Sequence, residues 1–369
     1  MATAQNPASL GTTSTTRTAQ PAGSLRFDWL YTLLGTWLIG GVFLDGWAHT
    51  HGKVDKSFFT PWHAILYSGY LAVAIFLAVT LVRNHAKGHV WLKAVPPGYG
   101  ASVVGAAIFA IGGVGDLLWH TIFGIEKGIE GEISPSHLTL ALGAFLMLSG
   151  PLRAAWRQRD PDAARRWATL LPALLSLVYL FSLLVFFTQF ADPITHSRAD
   201  LNISQIVIFF SPSGSDTDTT LSTKLGVASI LLQSAIMMGI VLLAVRRWRL
   251  PVGSFALIFA LNGLLVSFLA GNAPALATML LSGLIGLVVD LLNLLLKPSE
   301  QNALGLRVFA FVVPVVNYIV YFAALLVISG GIYWSVHLWT GSIVMAGVVG
   351  VLLSYLLVPP QVTGSSQNE

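Results

Sequence analysis

The stretch GGVGDLLWHTIFG, residues 112–124, closes a long apolar run with an aspartate and a histidine four residues apart. An apolar run of this length is typical of a helix that crosses a membrane. Ionisable side chains are costly at membrane depth, so their presence there marks a functional site. Asp116 and His120 therefore predict two features, a transmembrane helix and a polar site near its end.

The composition of the whole chain predicts the same environment. Of its 369 residues, 55% are hydrophobic and only 10% are charged, which is outside the range of water-soluble domains. We therefore expect an all-α integral membrane protein with about ten transmembrane helices. The apolar runs place these helices at roughly 27–48, 62–83, 98–120, 136–156, 168–191, 224–246, 251–270, 273–296, 306–329 and 333–357.

Charge and residue usage exclude several kinds of chemistry. The net charge is +4, and the basic residues are spread over short connections rather than along one stripe, which argues against a nucleic-acid partner. Cysteine is absent, so disulfides, thiolate metal ligands and cysteine nucleophiles are excluded. Any chemistry at the site must use nitrogen and oxygen atoms.

The distribution of Lys and Arg predicts the topology of the chain. Most of the 20 basic residues fall in connections on the side of the N-terminus, which the positive-inside rule assigns to the cytoplasm. We expect a multi-pass protein of the cell membrane with both termini cytoplasmic. The predicted segments are a disordered tail (1–26), helices one to five with a long outer loop (27–223), an apolar scaffold of helices six to ten (224–357) and a C-terminal tail (358–369).

A motif is duplicated in the first half of the chain. Residues 44–49, LDGWAH, precede an outer loop and then FTPWH at 59–63; residues 115–120, GDLLWH, precede ISPSH at 133–137. Each copy is a helix that ends in Asp-x-x-x-His, followed by a helix that begins with Thr/Ser-Pro-x-His. A third copy of the first element, Asp192 and His196, lacks the second histidine.

The spacing within each copy predicts that its polar groups converge. Residues four apart share one face of a helix, so each aspartate aligns with the histidine that follows it. Thr60 and Ser134 are typical N-cap residues, and proline at the next position fits the first helical turn. Each hairpin then brings one carboxylate and two imidazoles together, and the predicted metal ligands are Asp45, His49, His63, Asp116, His120 and His137.

These ligand types suit a divalent transition metal such as Fe, Cu or Zn. Two like sets in one helix bundle predict a dinuclear site on the outer side of the membrane. Glu126 and Glu130, in the loop between His120 and His137, are predicted to act as catalytic proton acceptors. The lesser candidates for the site are His51, Glu132, Asp192, His196 and His337.

The Asp-x-x-x-His pattern with a more distant histidine resembles the metal-binding arrangement in the C subunit of copper membrane monooxygenases. The resemblance covers only these few residues, and the separation of the two histidines is longer here.

Four functions are compatible with the sequence. The first is a membrane oxidoreductase, oxygenase-like, acting on a small or lipophilic substrate; the others are a zinc-dependent membrane hydrolase, a metal or solute transporter, and a non-catalytic subunit with a structural metal site. The lipid bilayer is the expected partner, with further copies or partner subunits possible. The apolar second half is expected to serve as scaffold, with Asp290 reaching water at the cytoplasmic end of its helix.

Overall fold

The computed structural model describes residues 19–53, 58–124, 129–158, 166–193, 216–271, 275–328, 331–332 and 334–359. Within these ranges the chain is helical apart from short connections, and the predicted all-α polytopic membrane fold is confirmed. Three parts of the predictions lie outside the described residues. They are the tail residues 1–18, His196 of the third motif copy, and the predicted catalytic residue Glu126.

Twelve helices are described. They are α1 (Leu25–Thr50), α2 (Pro61–Ala86), α3 (Gly100–Phe123), α4 (Ile129–Ile133), α5 (Pro135–Leu148), α6 (Gly150–Arg157), α7 (Trp167–Phe186), α8 (Asp216–Arg247), α9 (Ser254–Ala270), α10 (Ala275–Leu296), α11 (Ala303–Ile328) and α12 (Val336–Leu357). Helices α5 and α6 together form one membrane-spanning segment, Pro135–Arg157.

Each of the ten predicted spans corresponds to helix within the described residues, and nine of the described segments are long and apolar enough to cross a membrane. The tenth, α9, has only 17 residues. Helix α8 begins at Asp216, eight residues before the predicted start at 224, so the long outer loop is shorter than predicted.

The first helices of the two hairpins pack through matching glycines. Gly41 of α1 and Gly112 of α3 each lie four residues before the aspartate of their motif. A Cβ atom on Gly41 would lie 2.7 Å from Cα of Leu66, and one on Gly112 would lie 2.9 Å from the backbone nitrogen of Leu140. Only glycine permits this approach, so the two helix pairs cross at the same point of the repeat.

The second helices carry the complementary glycines. Gly69 of α2 and Gly143 of α5 each follow the histidine of their motif by six residues. A Cβ atom on Gly69 would lie 2.9 Å from Cα of Leu38, and one on Gly143 would lie 2.8 Å from Cα of Phe109. The repeat therefore extends beyond the polar motif into the packing of the helices, and it fixes the register of the polar groups.

The two hairpins associate into a four-helix bundle. Helix α2 contacts α3, and α5 contacts α1, so the second helix of each hairpin packs on the first helix of the other. The Tyr70 hydroxyl donates to the carbonyl of Ala106 at 3.0 Å, and the Tyr31 hydroxyl donates to the carbonyl of Met147 at 3.0 Å. These bonds satisfy buried polar groups across both interfaces.

Helix α7 forms the centre of the fold and joins the bundle to the second half. It packs on α1, α5, α6, α8 and α9, and it is the most buried of the spanning segments, in keeping with apolar side chains all around its axis. The phenyl ring of Phe186, at its end, packs edge to face with Phe43 of α1, with ring centroids 5.3 Å apart. The bundle is thereby held at a fixed position on the apolar half.

Asp290 does not reach water as expected. It is buried, and its carboxylate accepts hydrogen bonds from the backbone N–H groups of Gly253, Phe255 and Ala256 at 3.0–3.2 Å. The carboxylate of α10 thus caps the first turn of α9, where unpaired N–H groups and the helix dipole favour a negative charge. Asp290 therefore links two helices of the second half instead of contacting water.

Replacing Gly41 with alanine is expected to lower the free energy of unfolding by about 1–3 kcal/mol, because the new methyl group forces α1 and α2 apart. The adjacent Gly40 is the matched control, since a Cβ atom there would have no neighbour within 4 Å. Gly40→Ala should be neutral or stabilising, because alanine favours a helix over glycine. Equal thermal stabilities of the two purified variants would contradict the close crossing.

Candidate metal centre

The first hairpin brings one carboxylate between two imidazoles, as the spacing predicts. Asp45 and His49 lie one turn apart near the end of α1, with Nε2 of His49 3.7 Å from Oδ2 of Asp45. Nε2 of His63, in the first turn of α2, lies 3.5 Å from Oδ1 of the same aspartate. The carboxylate of Asp45 therefore faces a different imidazole with each of its oxygens.

The second hairpin repeats this arrangement at closer distances. Nε2 of His120, at the end of α3, lies 3.3 Å from Oδ1 of Asp116. Nε2 of His137, in the first turn of α5, lies 3.2 Å from the same oxygen. Here one carboxylate oxygen faces both imidazoles.

The predicted helix caps are confirmed, and they place the second histidine of each hairpin. The side chain of Thr60 accepts a hydrogen bond from the backbone N–H of His63 at 3.1 Å, and that of Ser134 accepts from His137 at 3.4 Å. Proline occupies the first turn of both helices. The capping geometry holds each histidine at the level where the preceding helix ends.

The fold joins the two sets into one cluster. The ring centroids of His49 and His120 are 6.4 Å apart, and those of His63 and His120 are 6.1 Å apart. Two compact groups of possible metal ligands result, Asp45 with His49 and His63, and His63 with Asp116 and His120. His63 belongs to both groups, a feature that the repeat alone did not predict.

Hydrogen bonds orient the histidine rings. Nδ1 of His63 donates to the carbonyl of Phe58 at 2.5 Å, and Nδ1 of His120 donates to the carbonyl of Gly124 at 3.3 Å. Nδ1 of His137 lies 2.7 Å from the Ser134 hydroxyl. With Nδ1 as the donor, Nε2 of a neutral imidazole carries a lone pair, and in His63 and His120 that lone pair faces a carboxylate.

Such lone pairs and carboxylates repel each other unless a cation lies between them. A charge-assisted N–H···O bond is about 2.7–2.9 Å long, shorter than the 3.2–3.7 Å separations in this cluster. Two ligands at about 2.0–2.1 Å from a tetrahedral ion lie about 3.3 Å apart. The spacing of these nitrogen and oxygen atoms fits ligands around a metal better than it fits ion pairs.

The cluster is buried and contains two carboxyl groups. Asp116 is 2% exposed and His63 is 4% exposed, and Oδ1 of Asp45, Oδ1 of Asp116 and Nε2 of His49 are buried atoms with no hydrogen bond in the described part of the chain. Among the described residues, neither carboxylate pairs with a lysine or arginine. Burying two such carboxylates without a cation would be costly, so their placement supports a cation site.

Two aromatic side chains that the sequence reasoning did not select adjoin the cluster. The Phe58 ring lies 4.7 Å from His63 and 6.1 Å from His120, measured between ring centroids. The Tyr67 hydroxyl donates to Oδ2 of Asp116 at 3.3 Å. Tyr67 follows His63 by one helical turn, which is the signal that could have found it.

The predicted catalytic glutamates stay predictions. Glu126 lies outside the described residues, and the backbone of Glu130 belongs to the short helix α4, which links α3 to α5. Glu132 of the same helix has a buried carboxylate oxygen, Oε2, with no hydrogen-bond partner in the described chain. Burial raises the pKa of Glu132 to about 7, and the backbone N–H of Phe190 partly opposes this shift.

The other lesser candidates lie apart from the two ligand groups. His51 is exposed, bonds through Nδ1 to the carbonyl of Trp47 at 2.9 Å and stacks on the Trp47 ring. Asp192 is buried after the 3₁₀ turn Gln189–Ala191, and His337 is exposed in the first turn of α12. None of these three contributes to a group of possible metal ligands within the described ranges.

The titration of Glu132 predicts a pH dependence of stability. Its pKa is about 7 in the folded chain against an ordinary value of 4.5, so the folded state binds the proton more tightly. Its contribution is fully present below about pH 4.5 and is lost as the pH rises through about 7. Glu132→Gln should therefore reduce the loss of thermal stability between pH 5 and pH 8.

Glu300→Gln is the control, since Glu300 is an exposed carboxylate paired with Arg246. It should retain the pH dependence of the parent protein. A Glu132→Gln variant whose melting temperature follows the parent protein across this range would show that Glu132 does not titrate there.

Comparison with protein-family models, curated proteins and solved structures finds no match for this chain. Its function must therefore be argued from the site itself.

Proposed function

We propose that the cluster binds two divalent transition-metal ions and that the protein is a membrane oxidoreductase, oxygenase-like, acting on a small or lipophilic substrate. The observation that carries this proposal is the set of buried Nε2 and Oδ atoms 3.2–3.7 Å apart, with imidazole lone pairs directed at carboxylates. The resemblance to the C subunit of copper membrane monooxygenases also supports the proposal, and it covers only the aspartate and the two histidines of each motif.

The donor set favours a transition metal over a hard cation. Four imidazole nitrogens and two carboxylates converge, whereas Mg²⁺ and Ca²⁺ prefer sites made almost entirely of oxygen. Iron, copper and zinc all accept this mixed ligation. When bound, iron or copper in such a site would supply one-electron and oxygen chemistry.

Two ions can bind together only if His63 serves one of them, since it offers one ligand atom to the two overlapping groups. Nε2 of His63 can bind one ion only, because its Nδ1 is engaged with the carbonyl of Phe58. If His63 joins Asp45 and His49, then His137 completes the other set, since its Nε2 lies 3.2 Å from Asp116. Each ion then has one carboxylate and two imidazoles, which leaves coordination positions for a substrate.

The zinc-dependent hydrolase is the second candidate, and Glu132 favours it. A carboxyl group with a pKa of about 7 is suited to accept a proton near neutral pH. Glu132 lies on α4, the segment that connects the helix of His120 to that of His137. Retention of zinc rather than iron or copper by the purified protein would favour this function.

A transporter is less well supported by the described helices. Pro314 lies inside α11, where a proline can break a helix, yet α11 continues through it from Ala303 to Ile328. Gly350 of α12 packs against the carbonyl of Ala310, the group whose helical hydrogen bond Pro314 removes. A discontinuous helix of the kind that forms transport sites is therefore not formed at Pro314.

Metal analysis of the purified full-length protein tests the proposal. We expect about two equivalents of metal in the parent protein and about one in His63→Ala, because Nε2 of His63 binds one ion only. His49→Ala should lose about one equivalent. The measurement is elemental analysis, with thermal stability recorded for each variant.

His51→Ala is the matched control, since this histidine lies two residues after His49 but bonds to its own helix. It should retain the full metal content. Parent protein that is purified without metal and binds none of iron, copper or zinc on reconstitution would overturn the proposal.

The proposed topology places the cluster on the outer side of the cell membrane, with both termini cytoplasmic. The absence of cysteine allows a direct test with single introduced cysteines. Lys53→Cys, just after α1, should react with a membrane-impermeant maleimide on intact cells, whereas Arg157→Cys, at the end of α6, should react only after the membrane is opened. Labelling of Arg157→Cys but not of Lys53→Cys on intact cells would show that the topology is the opposite of the one proposed.

A further inference from the structure

The two hairpins match in backbone but differ at one side chain that touches the cluster. Tyr67 lies four residues after His63, and the equivalent position, four residues after His137, is Ala141. The Tyr67 hydroxyl donates to Oδ2 of Asp116 at 3.3 Å, across the interface between the hairpins. At this position of the repeat, only the first hairpin provides a hydroxyl that donates to an aspartate of the cluster.

The packing of the Tyr67 ring fixes this hydroxyl. A Cβ atom on Gly113 would lie 2.9 Å from Cε1 of Tyr67, so glycine at this position gives the ring its room. The Tyr67 ring centroid is 6.2 Å from that of Phe109 and 5.8 Å from that of Phe58. Contacts on several sides leave the ring little freedom, and the hydroxyl is directed at the aspartate of the other hairpin.

The two carboxylates consequently have different surroundings. Oδ2 of Asp116 accepts the Tyr67 hydrogen bond, and Oδ1 lies 3.3 Å and 3.2 Å from the Nε2 atoms of His120 and His137. Asp45 directs Oδ1 towards His63 and Oδ2 towards His49. A hydrogen-bond donor on Oδ2 orients the Asp116 carboxylate to bind a metal through Oδ1. Asp45 has both oxygens available for binding.

We propose that Tyr67 is a positioning residue that makes the two metal sites inequivalent, by fixing Asp116 as a ligand through Oδ1 only. This inference rests on the proposed metal centre. It predicts that one ion, the one held by Asp116, is bound more tightly than the other. Loss of a hydrogen bond to a ligating carboxylate lowers metal affinity by about 10-fold to 100-fold.

The test is a Co²⁺ titration of the full-length protein, purified in detergent and stripped of metal, followed by the visible absorption of the bound ion. The parent protein should show two binding steps with distinct spectra. Tyr67→Phe, which removes only the hydroxyl, should weaken the tighter step at least about 10-fold and change its spectrum. The weaker step should keep its affinity and spectrum.

Tyr70→Phe is the matched control. Tyr70 lies on the same helix, stacks on Phe109 at 4.7 Å and donates to the carbonyl of Ala106 at the same α2–α3 interface, remote from the aspartates. Both variants lose one interfacial hydrogen bond and should melt at similar temperatures, but Tyr70→Phe should keep the parent spectrum and affinities. This comparison separates positioning of the ligand from general loosening of the interface.

Three outcomes would overturn the inference. If Tyr67→Phe binds Co²⁺ with the parent affinities and spectrum, Tyr67 does not position Asp116, and the metal centre itself still stands. If both variants change alike, the effect belongs to the interface rather than to the ligand. If the parent protein binds no Co²⁺ and none of iron, copper or zinc, the metal centre and this inference fail together.

Discussion

Two aspartates buried at one end of an apolar helix bundle impose the constraint on which the rest of the site depends. A carboxylate removed from water costs several kcal/mol unless it is paired, and the described chain places no lysine or arginine against Asp45 or Asp116. Imidazole nitrogens surround both groups, and hydrogen bonds on Nδ1 of His63 and His120 direct lone pairs towards them. A cation would neutralise this arrangement, and this is the basis of the proposed metal centre.

The packing of the bundle supplies the precision that such a site requires. Glycines at equivalent positions of both hairpins let the paired helices touch backbone to backbone, and this contact fixes the height of each helix against its neighbour. The N-caps Thr60 and Ser134 then fix the first turn of the returning helices. A ligand shell built on rigid helix ends is held more exactly than one built on loops.

The two copies of the duplicated hairpin do not have identical surroundings at the cluster. A duplicated backbone tends towards two equal sites, yet His63 is shared by two ligand groups and Tyr67 contacts one carboxylate only. Two neighbouring ions with different surroundings can perform different tasks, such as holding a substrate and exchanging an electron. In the second half of the chain, Asp290 of α10 caps α9, and α9 contacts α1 of the bundle.

The sequence by itself determined the features that depend on local spacing. Apolar length predicted the spans, the i to i+4 spacing aligned Asp45 with His49 and Asp116 with His120, and Thr/Ser-Pro predicted both helix caps. Only the tertiary structure decided that the two hairpins face each other, that His63 joins both ligand groups, and that Asp290 caps another helix. The physical reason is that helical periodicity specifies which residues share a face, whereas the meeting of two faces depends on side-chain packing between segments far apart in the chain.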